Sequence, residues 1–173
     1  MIPAFYRNER ESLDKYFARE FVAPDGLFGR YLHNNEETTV VRHVVTSLSD
    51  PRRSFHTRRA ILVIPHVIEP TKELAPLGLV SVRLIPRSVG SRRIINYSFT
   101  WRTVEALVGF PYSLYGSVQY AQRLTDLIKK DLAPTIETTV EIGFVSYIAH
   151  SLHFFVDQYA QHIARRIVED ASE

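Results

Sequence analysis

The sequence predicts a single α+β domain over residues 1–173, and three observations support this. Stretches rich in β-branched and aromatic residues, typical of strands, lie together in the middle of the chain. Helical patterns precede and follow them, and one of these helical patterns is long. No repeat, low-complexity tract or linker divides the chain. We therefore expect a sheet flanked by helices, including one long core helix.

The first half of the chain is predicted to hold two helices and a strand. Residues 5–21 and 37–48 place apolar side chains at helical spacing, although the valines of the second segment leave a strand as an alternative. Residues 60–67 read AILVIPHV, a near-continuous apolar run that predicts a strand buried on both faces. Pro65 and His66 mark where this strand ends or bulges.

The second half is predicted to hold a hairpin, the long helix, a further strand and a closing helix. Strands are predicted at residues 78–85 and 92–101, joined by a turn centred on Gly90. The second strand alternates, so one of its faces carries the large side chains Ile95, Tyr97, Phe99 and Trp101. The long helix, at 112–130, is expected to bury the stripe Leu114, Val118, Ala121, Leu124 and Ile128. A strand at 138–148 and a helix at 154–169 complete the chain.

Composition excludes several classes of protein. A hydrophobic fraction of 45% with 23% charged residues is globular usage and argues against disorder. The chain has no cysteine, which excludes disulfides, thiolate metal sites and cysteine nucleophiles. A net charge of +2 is too small to indicate a nucleic-acid surface, so no nucleic-acid partner is expected. Without a membrane-length apolar run or a signal-peptide core, we expect a cytoplasmic protein with no membrane partner.

The stretch from Arg102 to Asp131 predicts a phosphate site. It joins a strand end, a basic residue beside a hydroxyl (Arg102 and Thr103), a Gly-Phe-Pro break and the long helix. This order of elements can place a phosphate-binding group at one end of a sheet, held there by the helix.

Several motifs, in this order, resemble thymidylate synthase and the related pyrimidine nucleotide hydroxymethylases. Arg58-Arg59 before AILV is similar to the family's paired arginines, and Ala75-Pro76 to the dipeptide before its catalytic cysteine. The segments RTVE (102–105) and VGFPYS (108–113) resemble its Arg-Ser-x-Asp and Leu-Gly-Leu-Pro-Phe-Asn motifs. GFV (143–145) followed by HFF (153–155) resembles the strand that ends in His-x-Tyr. The resemblance covers about residues 25–165 and implies the family's mixed sheet.

The departures from the family's motifs bear on activity. The place of the nucleophilic cysteine falls at Leu77, which has no nucleophilic atom, and the next histidine's place falls at Gly78. The base-reading asparagine corresponds to Ser113 and the ribose-binding tyrosine to Phe155. The portion that supplies the family's general-base glutamate and folate cleft has no counterpart in these 173 residues. We therefore expect no thymidylate synthesis, no catalytic residues of that mechanism and no cofactor.

The residues that match the family imply a phosphate site made of Arg58, Arg59, Arg102 and Thr103. Guanidinium groups and a hydroxyl suit a phosphate monoester through charge-assisted bonds. The family's arginine pair comes from the partner subunit, and its sheets pack back to back, so the resemblance implies a homodimer with shared sites. The alternative for Arg58-Arg59 is a solvated basic turn continuous with Arg52 and Arg53.

Three further residues are candidates for nucleoside contacts: Glu105, Ser113 and His153. Glu105 could hold a ring or a water, or could instead be a first-turn acid at the helix dipole. His153 could bond a ribose hydroxyl, or could be a structural histidine at a strand end. The spacing of the histidines, with Glu105, matches no tight ligand motif, so no metal site is predicted.

Three functions remain open from the sequence. The first is a non-catalytic binder of a pyrimidine nucleoside monophosphate or related phosphate ligand, acting as a sensor or regulatory subunit. The second is a dimeric scaffold without a ligand, whose open cleft another protein covers. The third is an enzyme that modifies or hydrolyses nucleotides by different chemistry at the same cleft.

Overall fold

A four-stranded mixed sheet lies at the centre of the fold. The computed structural model describes residues 10–33, 35–49, 59–64, 78–133 and 139–170. Two short strands form a separate pair beside the main sheet. The strands are β1 Ile61–Val63, β2 Leu79–Val89, β3 Arg92–Trp101, β4 Val104–Glu105, β5 Thr139–Ala149 and β6 Leu152–His153. The main sheet has the order β1-β2-β3-β5; β3 and β5 are parallel and the other pairs antiparallel. The mixed sheet and the α+β class are therefore confirmed.

The helices of the described residues are α1 Arg10–Tyr16, α2 Gly29–Leu32, α3 Asn35–Ser49, α4 Gly109–Leu132 and α5 Gln158–Asp170, and a π-helical segment, Phe17–Val22, continues α1. Of these, α3 and α4 pack against the sheet. The helix prediction for residues 37–48 is confirmed over the strand alternative. Of the helix predicted at residues 5–21, residues 5–9 lie outside the described residues, and the rest is α1 with its π-helical continuation. The predicted closing helix begins only at Gln158.

The inner face of the sheet forms the core with α3 and α4. On β3 the alternation is as predicted: Ile95, Tyr97, Phe99 and Trp101 are buried. Tyr97 reaches α4, where its hydroxyl lies 2.7 Å from Thr125 Oγ1. The hairpin before β3 turns at Gly90, which has a φ of 60°, a left-handed conformation that glycine adopts without strain.

The opposite face of the sheet is only partly covered. Its register aligns the row Val63, Ser81, Thr100 and Ile148 across four strands, and the row Ile61, Arg83, Ser98 and Ser146. The expectation that the strand at residues 60–67 is buried on both faces is wrong for β1, because Leu62 is buried while Ile61 and Val63 are exposed. The apolar run fits a strand whose second face is open within a single chain. Pro65 and His66 lie outside the described residues.

A bulge fixes the register between β3 and β5. The pairing shifts between Ile95 and Tyr97, and there Asn96 Oδ1 accepts a hydrogen bond of 3.1 Å from the amide of Phe144. A Cβ at the neighbouring Gly143 would overlap Asn96 Oδ1, so a glycine is required beside this side chain. The amide side chain thus satisfies a backbone donor that the bulge removes from the ladder.

The buried face of α4 differs from the predicted stripe. Ala121, Leu124 and Ile128 are buried as expected, but Leu114 is only half-buried and Val118 is exposed. Small residues take their place in the first half of the helix: Ser113, Gly116 and Ser117. Gly116 lies against the ring of the fully buried Phe21, so the π-helical segment approaches α4 closely.

Gly116→Ala is expected to destabilise the protein by about 1–3 kcal/mol, although alanine favours a helix. The added methyl would overlap the ring of Phe21, which is enclosed and cannot move away. Urea unfolding measures the change. Val118→Ala, at an exposed position of the same helix, is the control and should change stability by less than about 0.5 kcal/mol. Equal stability of Gly116→Ala and the wild type would contradict the packing described.

Candidate functional site

The end of β3 and the β4–β6 pair bring together residues far apart in the chain. After Trp101, the amide of Arg102 donates to Gly78 O at 2.7 Å, and Val104 donates to Ser151 O at 2.9 Å. The parallel pairing sets Glu105 beside His153. We call Arg102, Thr103, Glu105 and His153 the strand-end cluster.

Thr103 and His153 are hydrogen-bonded to each other. Thr103 Oγ1 lies 2.9 Å from His153 Nδ1, and either group can donate, depending on the histidine tautomer. The imidazole also meets the ring of Phe155 edge-on, with centroids 5.3 Å apart. The pair therefore holds the imidazole in place, and in the described part of the chain the opposite ring nitrogen, Nε2, makes no hydrogen bond.

Glu105 caps the N-terminus of α4. Its Oε1 accepts a hydrogen bond from Leu107 N at 2.9 Å, and its Oε2 accepts bonds from Val108 N at 2.6 Å and Gly109 N at 2.9 Å. Burial alone would raise the pKa of Glu105, but these backbone donors and the nearby His153 outweigh it and lower the pKa. The structure thus supports the helix-dipole alternative for Glu105. One lone pair of Oε1 remains for a ligand or water.

Ser113 is buried and bonds inward. Its hydroxyl donates to Phe110 O at 3.1 Å and lies 2.7 Å from the hydroxyl of Tyr147. Tyr147 is stacked on Trp101 and meets Phe110 edge-on. Burial raises the pKa of Tyr147 to about 12, although the bond to Ser113 opposes this shift. At neutral pH the phenol is a protonated donor, so a hydroxyl pair occupies the position that resembles the family's base-reading residue.

The two described arginines of the predicted phosphate site, Arg59 and Arg102, start from separate places along β2. Arg102 is exposed and lies beside Gly78, at one end of β2. Arg59 is also exposed and precedes Ala60, whose carbonyl accepts a hydrogen bond from Leu84 of β2. The strand from Gly78 to Leu84 spans roughly 20 Å. Arg58 and Leu77 lie outside the described residues.

The sequence analysis missed Tyr147 as a site residue. It lies on β5 next to Phe99 of β3, whose side chain also points inward. The inward position could have been inferred from the strand pattern, but its partner Ser113 lies 34 residues earlier. Within the described ranges, no three histidine, aspartate or glutamate side chains form a group that could hold a metal ion. Nor is any helix there long and apolar enough to cross a membrane.

Comparison with solved structures identifies the fold. Thymidylate synthase from T4 phage superposes with a TM-score of 0.53 over 95% of this chain, at 13% sequence identity. The fold is thymidylate-synthase-like. The chain spans about half of that enzyme, since the match covers 52% of its length. No family model and no curated protein matches the sequence, and identity this low shows the fold alone.

Glu105→Gln is expected to lower the free energy of unfolding by about 1–2 kcal/mol at neutral pH, because an amide cannot accept the same three backbone bonds as well as a carboxylate. The folded pKa of Glu105 is lowered. The stabilisation is therefore fully present above the unfolded pKa of about 4.3 and is lost as the pH falls through the folded pKa.

Urea unfolding of both proteins between pH 7 and pH 3 measures this difference. The difference in the free energy of unfolding between wild type and Glu105→Gln should become smaller as the pH falls. Glu169→Gln, at an exposed position of α5, should show no such gap. A gap that is constant from pH 7 to pH 3 would refute the capping role of the charged carboxylate.

Proposed function

We propose that this thymidylate-synthase-like protein binds a pyrimidine nucleoside monophosphate, or a related phosphate ligand, and does not use the family's nucleophilic chemistry. The observation that carries the proposal is the strand-end cluster, in which the exposed Arg102 directly precedes the ordered Thr103–His153 pair in the chain. Arg102 would bind the phosphate and His153 Nε2 a ribose hydroxyl. A sensor or regulatory subunit is the role that suits such a site.

The cap made by Glu105 bears on how phosphate would be held. Helix N-termini often bind phosphate through free backbone amides. Here the amides of Leu107, Val108 and Gly109 already donate to Glu105. The phosphate would therefore be held by guanidinium and hydroxyl side chains. Removing one guanidinium should for that reason weaken ligand binding strongly.

The shared-site homodimer is part of the proposal. Arg102 lies beside Gly78 before β2, whereas Arg59 precedes Ala60, which pairs near the middle of β2, so the two arginines are far apart in one chain. The partly open sheet face, with exposed Ile61, Val63 and Ile148 at its edges, could pack against the same face of a second chain. Such an interface would let Arg59 of one chain and Arg102 of the other contribute to one phosphate site, as the resemblance to the family implies.

Titration calorimetry with dUMP, dCMP and CMP tests ligand binding. The wild type should bind at least one of them, and Arg102→Ala should weaken that binding about tenfold or more, because a charge-assisted bond is lost. Lys130→Ala removes an exposed positive charge from the far end of α4 and should leave the affinity unchanged. The proposal would be refuted if neither the wild type nor Arg102→Ala gave a heat of binding at millimolar ligand.

Mixing two inactive variants tests whether the site is shared. Arg59→Ala and Arg102→Ala chains should each bind poorly, but random exchange into heterodimers should restore about a quarter of the sites. In each heterodimer one site keeps both arginines. Restoration is measured by calorimetry on the exchanged mixture, and sedimentation gives the oligomeric state. A mixture that binds no better than its components would exclude the shared arrangement.

An exposed apolar segment favours a second candidate function, a scaffold covered by another protein. Leu152 and the run Phe154, Phe155 and Val156 flank His153 of the strand-end cluster, and each is more than half exposed. Such a run is unusual on a free surface. If the double variant Arg59→Ala/Arg102→Ala retains the protein's role in its host while Phe154→Asp abolishes it, the scaffold role replaces ligand binding.

A further inference from the structure

A separate cavity lies at the other end of α4. Its volume is about 440 Å³, within the range of small-molecule sites. Three segments line it: the turn after the π-helical segment with His33, the first turns of α3, and the last turns of α4. Arg123 lies ten residues beyond Ser113 on α4, which is about 15 Å of helix. The cavity is therefore distinct from the strand-end cluster.

The polar wall of the cavity is built from buried groups. The Glu37 side chain is only 8% exposed, and its Oε2 lies 2.6 Å from His33 Nδ1. The other nitrogen of the ring, Nε2, lies 2.8 Å from the carbonyl of Phe21. Arg123 completes the wall, with its Nε 3.5 Å from Glu37 Oε1. These contacts join three segments of the chain around one carboxyl group.

Hydrogen-bond chemistry fixes the charge of this wall. A carbonyl only accepts, so His33 Nε2 must carry a proton and donate it to Phe21 O. The short contact between Nδ1 and Glu37 then needs one further proton, which lies on either atom. In both arrangements the His33–Glu37 pair has no net charge, and the positive charge of Arg123 is left over.

Unused hydrogen-bonding capacity remains at this wall. Within the described residues, the buried Nε of Arg123 makes only the 3.5 Å ion pair with Glu37 and no hydrogen bond, and the guanidinium offers further donors beyond it. Tyr120, one turn earlier on α4, is fully buried and lies close to Glu37, so Glu37 is the acceptor for its hydroxyl. Burial is the largest cause that raises the pKa of Tyr120, so its hydroxyl stays protonated. A buried donor without a hydrogen bond destabilises the fold, and an acceptor bound at Arg123 would remove part of that cost.

The remaining walls define the rest of the ligand. Val22, Pro24, Val41 and Leu127 give the cavity apolar sides. The nearest carboxylate among the other lining residues is Asp131, two turns beyond Arg123 on α4 and about 12 Å along the helix. An anionic group therefore fits at Arg123 and an apolar body beside Leu127, whereas a second anionic group at the far end would meet Asp131.

We propose that this cavity is a second ligand site, which binds a small organic carboxylate with an apolar body. The carboxylate pairs with the guanidinium of Arg123, and the apolar body packs between α3 and α4. This assignment is independent of the nucleotide site, because it shares no residue with the strand-end cluster.

Hexanoate, hexan-1-ol and hexylammonium are the probes, and amide and Arg Nε chemical shifts of the intact protein are the readout. Hexanoate should bind with a Kd on the order of 1 mM, as expected for so small a ligand, and should shift Arg123 Nε and the amides that line the cavity. Hexan-1-ol should bind at least about tenfold more weakly, because it lacks the charge, and hexylammonium should not bind.

Arg123→Gln should weaken hexanoate binding about tenfold or more, whereas Lys130→Gln, at an exposed position of the same helix, should not. Thermal unfolding checks that both variants fold; if Arg123→Gln does not, Arg123→Lys, which keeps the charge but not the planar fork, takes its place and should weaken binding. The proposal fails if hexanoate shifts residues elsewhere, if the alcohol or the amine binds as tightly, if neither arginine variant weakens binding, or if no probe binds.

Discussion

The carboxylate of Glu105 is the interaction on which the geometry of the strand-end cluster depends. It ends β4 and, through three backbone amides, begins α4. The strand that carries it pairs with β6, and α4 is held to the sheet by the bond between Thr125 and Tyr97. Glu105 therefore helps to fix both the direction of α4 and the position of His153. A charged group inside the protein takes the role that a bound anion has at many helix N-termini.

The parts of the fold that the sequence predicts well have strong local signals. The hairpin has an alternating second strand and a glycine at its turn, and α4 is long enough for its periodicity to be unambiguous. The errors have identifiable causes. The stripe on α4 was misplaced because a hydropathy pattern gives little weight to Ser113, Gly116 and Ser117, which are buried where another segment approaches closely. Two-residue strands such as β4 and β6 have no periodicity that could predict them.

The sequence also predicts the candidate site only in part. The order of motifs along the chain predicts Arg102, Thr103, Glu105 and His153 as site residues, and the structure brings these four to one strand end. Motif order does not show which groups are already occupied, such as Glu105 by backbone amides and Ser113 by Tyr147. The cavity at the C-terminal end of α4 could not be predicted from the sequence, because its central contact joins the side chains of His33 and Glu37. That pair has the four-residue spacing of helical neighbours, but α3 begins only at Asn35.

The bulge between β3 and β5 has a consequence for how the protein behaves in concentrated solution. β5 is an edge strand of the described sheet, and it carries the exposed apolar residues Phe144 and Ile148. A long, flat edge of this kind would add strands from other molecules and aggregate. At Gly143 and Phe144 the strand departs from regular pairing, and one backbone amide is bonded to the Asn96 side chain. The free edge is therefore interrupted near its middle, which limits the length over which a foreign strand can pair.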